Sequence, residues 1–377
     1  MNIYHYLDEY GKYTFEEKEF NQLDAVLFSY LSYGTFDKVF EEKRKLTIKE
    51  AATIHYGYRK GKDNNVIAVK EANELLHYIK DLNRYKNCIL YHYQYIGNEE
   101  TQFGVISIEY QKNKVFVSFE GTDELFSGWI EDFQLSYQFP TKAHELAINY
   151  INKKFLFQNK EIILGGHSKG GNLALIAGMY SKNYVRKKIV KIYGMDSPGL
   201  LEEQLNSIEY QTIRDRYIHI IPDYSVIGVL LKSENDIVIK SKKKGIMAHD
   251  ILNWEIEGTQ LKKGELSPLS KEISLETDKW NEKYNKEDKL EFVTNLNETF
   301  KKANVKDIIE IKEQHKKIIT IISESKKMTE KAKTMIKDLI SIMIKSYRDT
   351  KIEEIKQAIG KNIRIMKKPV EKQKENN

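Results

Sequence analysis

The amino-acid sequence predicts an α/β fold with a mainly parallel sheet, a helical N-terminal region and a long helical C-terminal extension. Three observations predict it. Between about residues 101 and 241, short β-branched runs alternate with helix-period segments at the spacing of βαβ units. From about residue 265 onward β-rich runs disappear. The chain has 377 residues, 41% of them apolar and only 5 of them Pro, which is enough to bury a large core.

Taken in order, residues 20–31, 47–56 and 68–85 carry apolar side chains at three- and four-residue spacing and are predicted as helices. TQFGVISIEY and KNKVFVSFE are β-rich runs joined by turn residues, a hairpin signal. Residues 143–155 are helical in period. EIILGG is a short apolar strand, NLALIAGMYS a buried helix and IVKIYGM a further strand, with RYIHIIP and DIVIKS completing the set. The domain division that follows is 1–264, with 1–95 mostly helical, and 265–377 as a Lys-rich extension.

Composition removes several classes. Collagen-like, mucin-like and disordered chains do not carry this much Ile, Leu, Tyr and Phe. A single cysteine, Cys88, can form neither an intrachain disulfide nor a cysteine zinc site. No apolar run approaches the roughly 20 residues that span a bilayer, and the first residues lack a signal-peptide pattern. A soluble cytoplasmic protein is expected. The net charge of +6 is uneven: residues 301–377 hold 21 Lys and Arg against 11 Asp and Glu, so the rest of the chain is acidic.

The extension has its own period. Ile308, Ile311, His315, Ile318, Ile322, Ser325, Thr329, Ala332, Ile336, Leu339 and Met343 fall on alternating three- and four-residue steps, like a coiled-coil seam with a polar middle. Self-association, docking on the core and contact with a membrane surface are the roles open to it. Nucleic acid is not expected as a partner, because Tyr347 is the only aromatic after Phe300.

The informative segment is Gly166-His167-Ser168-Lys169-Gly170, a G-x-S-x-G between a predicted strand and a predicted helix. A nucleophile elbow strains the serine and crowds the positions two before and two after it, where glycine relieves the clash. A serine hydroxyl needs an oriented base. Among the nine histidines, His249 follows the last strand, where such a base belongs. His219 lies inside a strand, and His167 on the elbow should turn its ring away. For the acid, Asp196 and Asp223 both follow strand ends, and periodicity does not choose between them. The oxyanion hole would use the N–H of Lys169 and the end of KVFVSFEGTDE, at Gly121-Thr122.

These residues resemble the class 3 lipases among the α/β-hydrolases. The likeness rests on SFEGTDE, Gly128-Trp129, Asp132-Phe133 and GGHSKGGNLA. A related family of uncharacterised bacterial lipase-like proteins is closer still: it shares HSKGGN, Asp196-Ser197-Pro198-Gly199, Pro222 with Ser225 and Gly228, and His249-Asp250 with Trp254. The resemblance implies an α/β-hydrolase fold, Ser168 as nucleophile, His249 as base and Thr122 as an oxyanion contributor. It favours Asp196 over Asp223, which stays as the fallback acid. Glu120 and Lys169 stand where these lipases usually have Arg and Leu, and a lysine close to the mouth would suit an anionic acyl donor.

The expectation is a serine esterase or lipase-type enzyme acting on a small-molecule or lipid ester, with no cofactor and no metal. The alternative is a hydrolase-like fold serving as a binding or assembly module through its tail.

Overall fold

A computed structural model describes residues 1–58, 67–122 and 126–304, and those from 320 to 341 except 322, 326 and 340. The seam positions Ile308, Ile311, His315, Ile318, Ile322 and Met343 lie outside the described residues.

Helices α1 (Ile3–Tyr10), α2 (Gln22–Leu31) and α3 (Asp37–Glu42) precede a short strand β1 (Lys45–Thr47). Then come α4 (Ile48–Tyr58), α5 (Ile67–Ile79), β2 (Ile89–Gly97), β3 (Gln102–Gln111) and β4 (Lys114–Phe119). The sequence missed β1 and β2 inside the segment expected to be mostly helical. In β2 a register shift between Tyr91 and Gln94, with His92 at φ 54°, breaks the two-residue alternation that marks a strand. Next are α6 (Phe126–Gln134), α7 (Lys142–Phe155), β5 (Glu161–His167), α8 (Lys169–Tyr180), α9 (Asn183–Arg186) and β6 (Ile189–Met195). Short helices α10 (Glu202–Leu205) and α11 (Ile208–Gln211) lead to β7 (Tyr217–Pro222) and β8 (Ile237–Ile239). A small hairpin, β9 (Ile256–Glu257) and β10 (Gln260–Leu261), precedes α12 (Pro268–Lys283) and α13 (Lys286–Lys302).

The eight strands pair in chain order: β1 to β4 are antiparallel and β4 to β8 parallel. Alternate residues of the central strands serve two cores. Phe116, Ile163, Tyr193 and Met195 face α1, α2, α4 and α5, whereas Val115, Val117, Ile162, Leu164 and Ile192 face α7 and α8. A sheet buried on both faces reads as continuous apolar runs, as EIIL and RYIHII do. The result is a three-layer α/β sandwich around a mainly parallel sheet, as the sequence predicts.

The N-terminal helices are pinned by one buried ion pair. Arg84 donates to Asp24 through Nη2 (2.6 Å) and Nε (2.8 Å), and its remaining N–H groups reach the carbonyls of Thr14, Lys18 and Glu19. The hydroxyls of Tyr6 and Tyr85 also donate to Asp24. A buried charge pair needs such satisfaction of every donor and acceptor.

Register sets the stage for chemistry. Phe119 aligns with Gly166, His167 with Met195 and Met195 with Ile220, so the carboxyl ends of β4 to β7 share one edge. Ligands of open α/β sheets bind at that edge.

Candidate active site

Ser168 follows β5 and precedes the first residue of α8, with φ 58° and ψ −134°. A residue with a Cβ rarely adopts that backbone, and such strain concentrates at functional positions. The turn closes tightly: a Cβ on Gly166 would lie 2.3 Å from the carbonyl carbon of Gly170, and one on Gly170 would lie 2.1 Å from the carbonyl oxygen of Phe119. Only glycine fits at both. Ser168 N–H donates to the carbonyl of Met195 (3.0 Å), which locks the elbow to the end of β6.

Asp196 follows that strand end, itself at φ 44°. Its Oδ2 accepts from Nδ1 of His249 at 2.6 Å, while Oδ1 accepts from the Ser225 hydroxyl (2.5 Å) and the Gly228 N–H (3.0 Å). Pro222, Ser225 and Gly228 thus carry the loop that holds Asp196. Asp223, the other acid considered, goes elsewhere: its Oδ1 accepts from the Ser241 N–H (3.1 Å) and ties β7 to the segment after β8. Two further contacts fix the loop of His249. Buried Trp254 donates through Nε1 to the Ala248 carbonyl (3.0 Å), and Asp250 caps the 3-10 turn Ile251–Asn253 by accepting from Leu252 N–H.

His167 differs from its expectation. Its ring faces the site, with its centroid 4.2 Å from that of His249. Nε2 lies 2.8 Å from the His249 carbonyl and Nδ1 lies 3.0 Å from the Tyr33 hydroxyl. A carbonyl can only accept, so Nε2 carries the proton and Nδ1 accepts from Tyr33. Burial, reinforced by His249, pushes His167 well below the usual histidine range and keeps it neutral. The residue before the serine therefore positions the main chain of His249. Nothing in the sequence marked Tyr33 for this part.

A second neutral histidine braces the turn after Asp196. His144 accepts at Nδ1 from Thr141 N–H (3.1 Å) and donates from Nε2 to Asn172 Oδ1 (2.8 Å). Asn172 in turn donates to the carbonyls of Gly199 (2.8 Å) and Pro198 (3.3 Å), the turn after Asp196. Burial lowers His144 to about 4. The unfolded chain would bind a proton near 6.5 that the folded one refuses until about 4. The contribution is therefore whole above about pH 6.5 and lost as pH falls toward 4, worth about 3 kcal/mol at one fully buried site. Urea midpoints at pH 7 and pH 4.5 should fall further apart in the wild type than in His144→Gln; equal differences would contradict this account.

His219, which lies inside β7 as expected, forms a third brace with Asp236. His219 Nδ1 lies 2.7 Å from Asp236 Oδ1, and Nε2 donates to the Ser197 carbonyl (2.9 Å). Although burial acts to raise Asp236, His219 and Ser233 hold it below the usual carboxylate range.

The oxyanion candidates are held by a residue that sequence reasoning missed. Gln102, fully buried, donates through Nε2 to the Gly121 carbonyl (3.1 Å). In a trans peptide the Thr122 N–H points opposite to that carbonyl, so Gln102 fixes the plane of the donor. A Cβ on Gly121 would sit 3.1 Å from the Cβ of Ser168, which shows how closely this peptide borders the elbow. The Thr122 hydroxyl donates to Asp132 Oδ2 (2.7 Å), so the N–H is the group of Thr122 considered for an oxyanion. Asp132 Oδ1 is buried without a hydrogen-bond partner among the described residues, and burial raises Asp132 to about 6 against the pull of Lys169 and Thr122.

The side chain of Lys169 does not line the mouth. Its Nζ is buried and donates to Gln102 Oε1 (2.7 Å) and O (2.9 Å), with Glu131 Oε2 at 3.4 Å. Glu120 is likewise buried, its Oε2 turned against Gly104. These two departures from the lipase pattern therefore face inward, and the anionic acyl donor inferred from Lys169 loses its basis. Their contacts are with the scaffold at Gln102, Glu131 and Gly104.

Among the described residues no group of three metal-ligating side chains converges, and no helix is long and apolar enough to cross a membrane.

The Mbeg1-like family model matches residues 79–298, more than half of the chain, and the matched span ends within α13. No curated protein matches. Among solved structures, the chain is similar to the M37 lipase, at 12% identity and a TM-score of 0.30 over 56% of this chain and 70% of that one. It is also similar to the Rhizomucor miehei lipase–propeptide complex, at 11% identity and a TM-score of 0.33 over 57% and 67%.

Proposed function

The chain belongs to the Mbeg1-like family, and we propose that it is a serine hydrolase of carboxylic esters, with lipid or phospholipid acyl esters as the substrate class. One observation carries the reading. His249 donates from Nδ1 to Asp196 while its own carbonyl accepts from the residue preceding a strained Ser168. That hydrogen bond leaves Nε2 of His249 as the acceptor, the form a general base requires.

In this reading Ser168 Oγ attacks the acyl carbon as its proton passes to His249 Nε2. Asp196 holds the imidazole in its tautomer and offsets the imidazolium that forms. The oxyanion is received by the N–H groups of Lys169 and Thr122, aided by the N-terminus of α8. The alkoxide leaves with the proton from His249, and water then releases the acyl group by the same route in reverse order.

A fluorophosphonate probe tests the reading directly. Folded protein should give one adduct, on Ser168, lost on denaturation and in Ser168→Ala. Turnover of p-nitrophenyl esters of graded chain length then ranks acyl preference. Folded protein that takes no adduct on Ser168 would refute the proposal.

A further inference from the structure

α6 lies between the oxyanion loop and the C-terminal helices, with each side gripped. On the inner side Asp132 accepts from the Thr122 hydroxyl. Glu131, fully buried, accepts from Thr101 Oγ1 (2.7 Å), Gln102 N–H (3.2 Å) and the first turn of α7 at Ala143 N–H (3.0 Å), with Lys169 Nζ at 3.4 Å. Both oxyanion candidates, Thr122 and Lys169, are thereby tied to neighbouring residues of one short helix.

On the outer side Ile130, Phe133 and Tyr137 enter an apolar cluster with Trp280, Tyr284, Phe292, Val293, Met328 and Met335. Phe133, next in the chain after Asp132, meets Phe292 edge to face with ring centroids 5.7 Å apart. Lys289, also buried, donates to the carbonyl of Ser136 just past α6 and to that of Asn281. Seam positions Ala332, Ile336 and Leu339 belong to this cluster, so the described part of the extension docks on α6.

We propose that the C-terminal helices are a positioning element for the oxyanion hole, acting through α6, with Phe292 and Phe133 as the coupled pair. The proposal rests on the hydrolase reading for its effect on turnover, though not for the coupling itself. Packed interiors pass on displacement because they are dense, and a hydrogen-bond donor out of place by about an ångström costs about a hundredfold in rate.

The test uses full-length Phe292→Ala, Phe292→Leu and, as a control inside the same lobe, Tyr284→Phe, which removes the hydroxyl that meets Asp338 and Lys283 and keeps the ring in place. Two readouts are needed: kcat and KM on a p-nitrophenyl ester, and deuterium exchange over 118–134 and 166–172. Phe292→Ala should lower kcat at least about tenfold with KM within about twofold and speed exchange in 126–134. Phe292→Leu should restore most of both, and Tyr284→Phe should change neither. Wild-type exchange in 126–134 of Phe292→Ala overturns the proposal, as does faster exchange with unchanged kcat. Should the wild type cleave no ester and take no probe, the hydrolase reading falls, and exchange alone still decides whether the lobe holds α6.

Discussion

Ser168→Ala should lower ester turnover by about a millionfold, as loss of the nucleophile of a triad does, and leave the fold intact. Alanine keeps the Cβ that makes φ 58° unfavourable, so thermal stability should stay close to the wild type. Ser168→Gly should be equally inactive yet more stable, by about 1 kcal/mol, since glycine accepts positive φ without the steric cost. Activity and stability would then move in opposite directions at one residue, the pattern expected where strain serves function. Melting curves and ester kinetics on the three proteins check this. Residual turnover in Ser168→Ala above about a tenth of wild type would mean that another group performs the chemistry.

The elbow was legible in the sequence because its constraints are local. Glycine at 166 and 170 and a strand running into a helix leave few alternatives to a tight turn. His249 was legible through chain order, and Ser225 and Gly228 through a motif whose purpose became visible only when both were found on the Oδ1 of Asp196. What stayed hidden depends on distant pairing. Gln102 sits in a β strand of unremarkable pattern, and its significance lies in meeting Gly121 and Lys169 across the sheet edge. Tyr33 belongs to a helical region that looked like mere covering. Lys169 misled because a lysine is usually solvated; here Gln102 and Glu131 satisfy its ammonium inside the protein.

The fold shows the same division. The parallel half, β4 to β8, could be read because strand and helix periods alternate there. The antiparallel half was partly obscured: β3 and β4 gave a hairpin, but β1 is three residues long and β2 is broken by an irregularity. The helical seam was visible as a period, yet a period does not name its partner. The same apolar spacing that suits a second copy of the chain also suits α6, and the described portion packs there.

Replacing the two aspartates one at a time should give unequal results: Asp196→Asn lowers turnover about ten-thousandfold, and Asp223→Asn leaves it within about twofold. Geometry sets the difference. An asparagine at 196 has one accepting oxygen for the two sides that need one. If the oxygen keeps the Ser225 hydroxyl and Gly228 N–H, the amide NH2 faces His249 and forces Nδ1 to accept, which moves the ring proton to Nε2 and removes the base. If the amide flips, an N–H meets the Gly228 N–H and the turn loosens. Either arrangement disables the imidazole. At 223 the carboxylate accepts from backbone N–H groups, Ser241 at 3.1 Å among them, which an amide oxygen accepts equally well. Burial raises Asp223 above the usual carboxylate range, against the pull of the backbone N–H groups it accepts from. Ester kinetics give the first comparison, and nitrogen-15 shifts of the His249 ring give the second, by reporting which nitrogen holds the proton. A large loss in Asp223→Asn with a near-normal Asp196→Asn would reassign the acid, and would leave the 2.6 Å contact between Asp196 and His249 without a catalytic explanation.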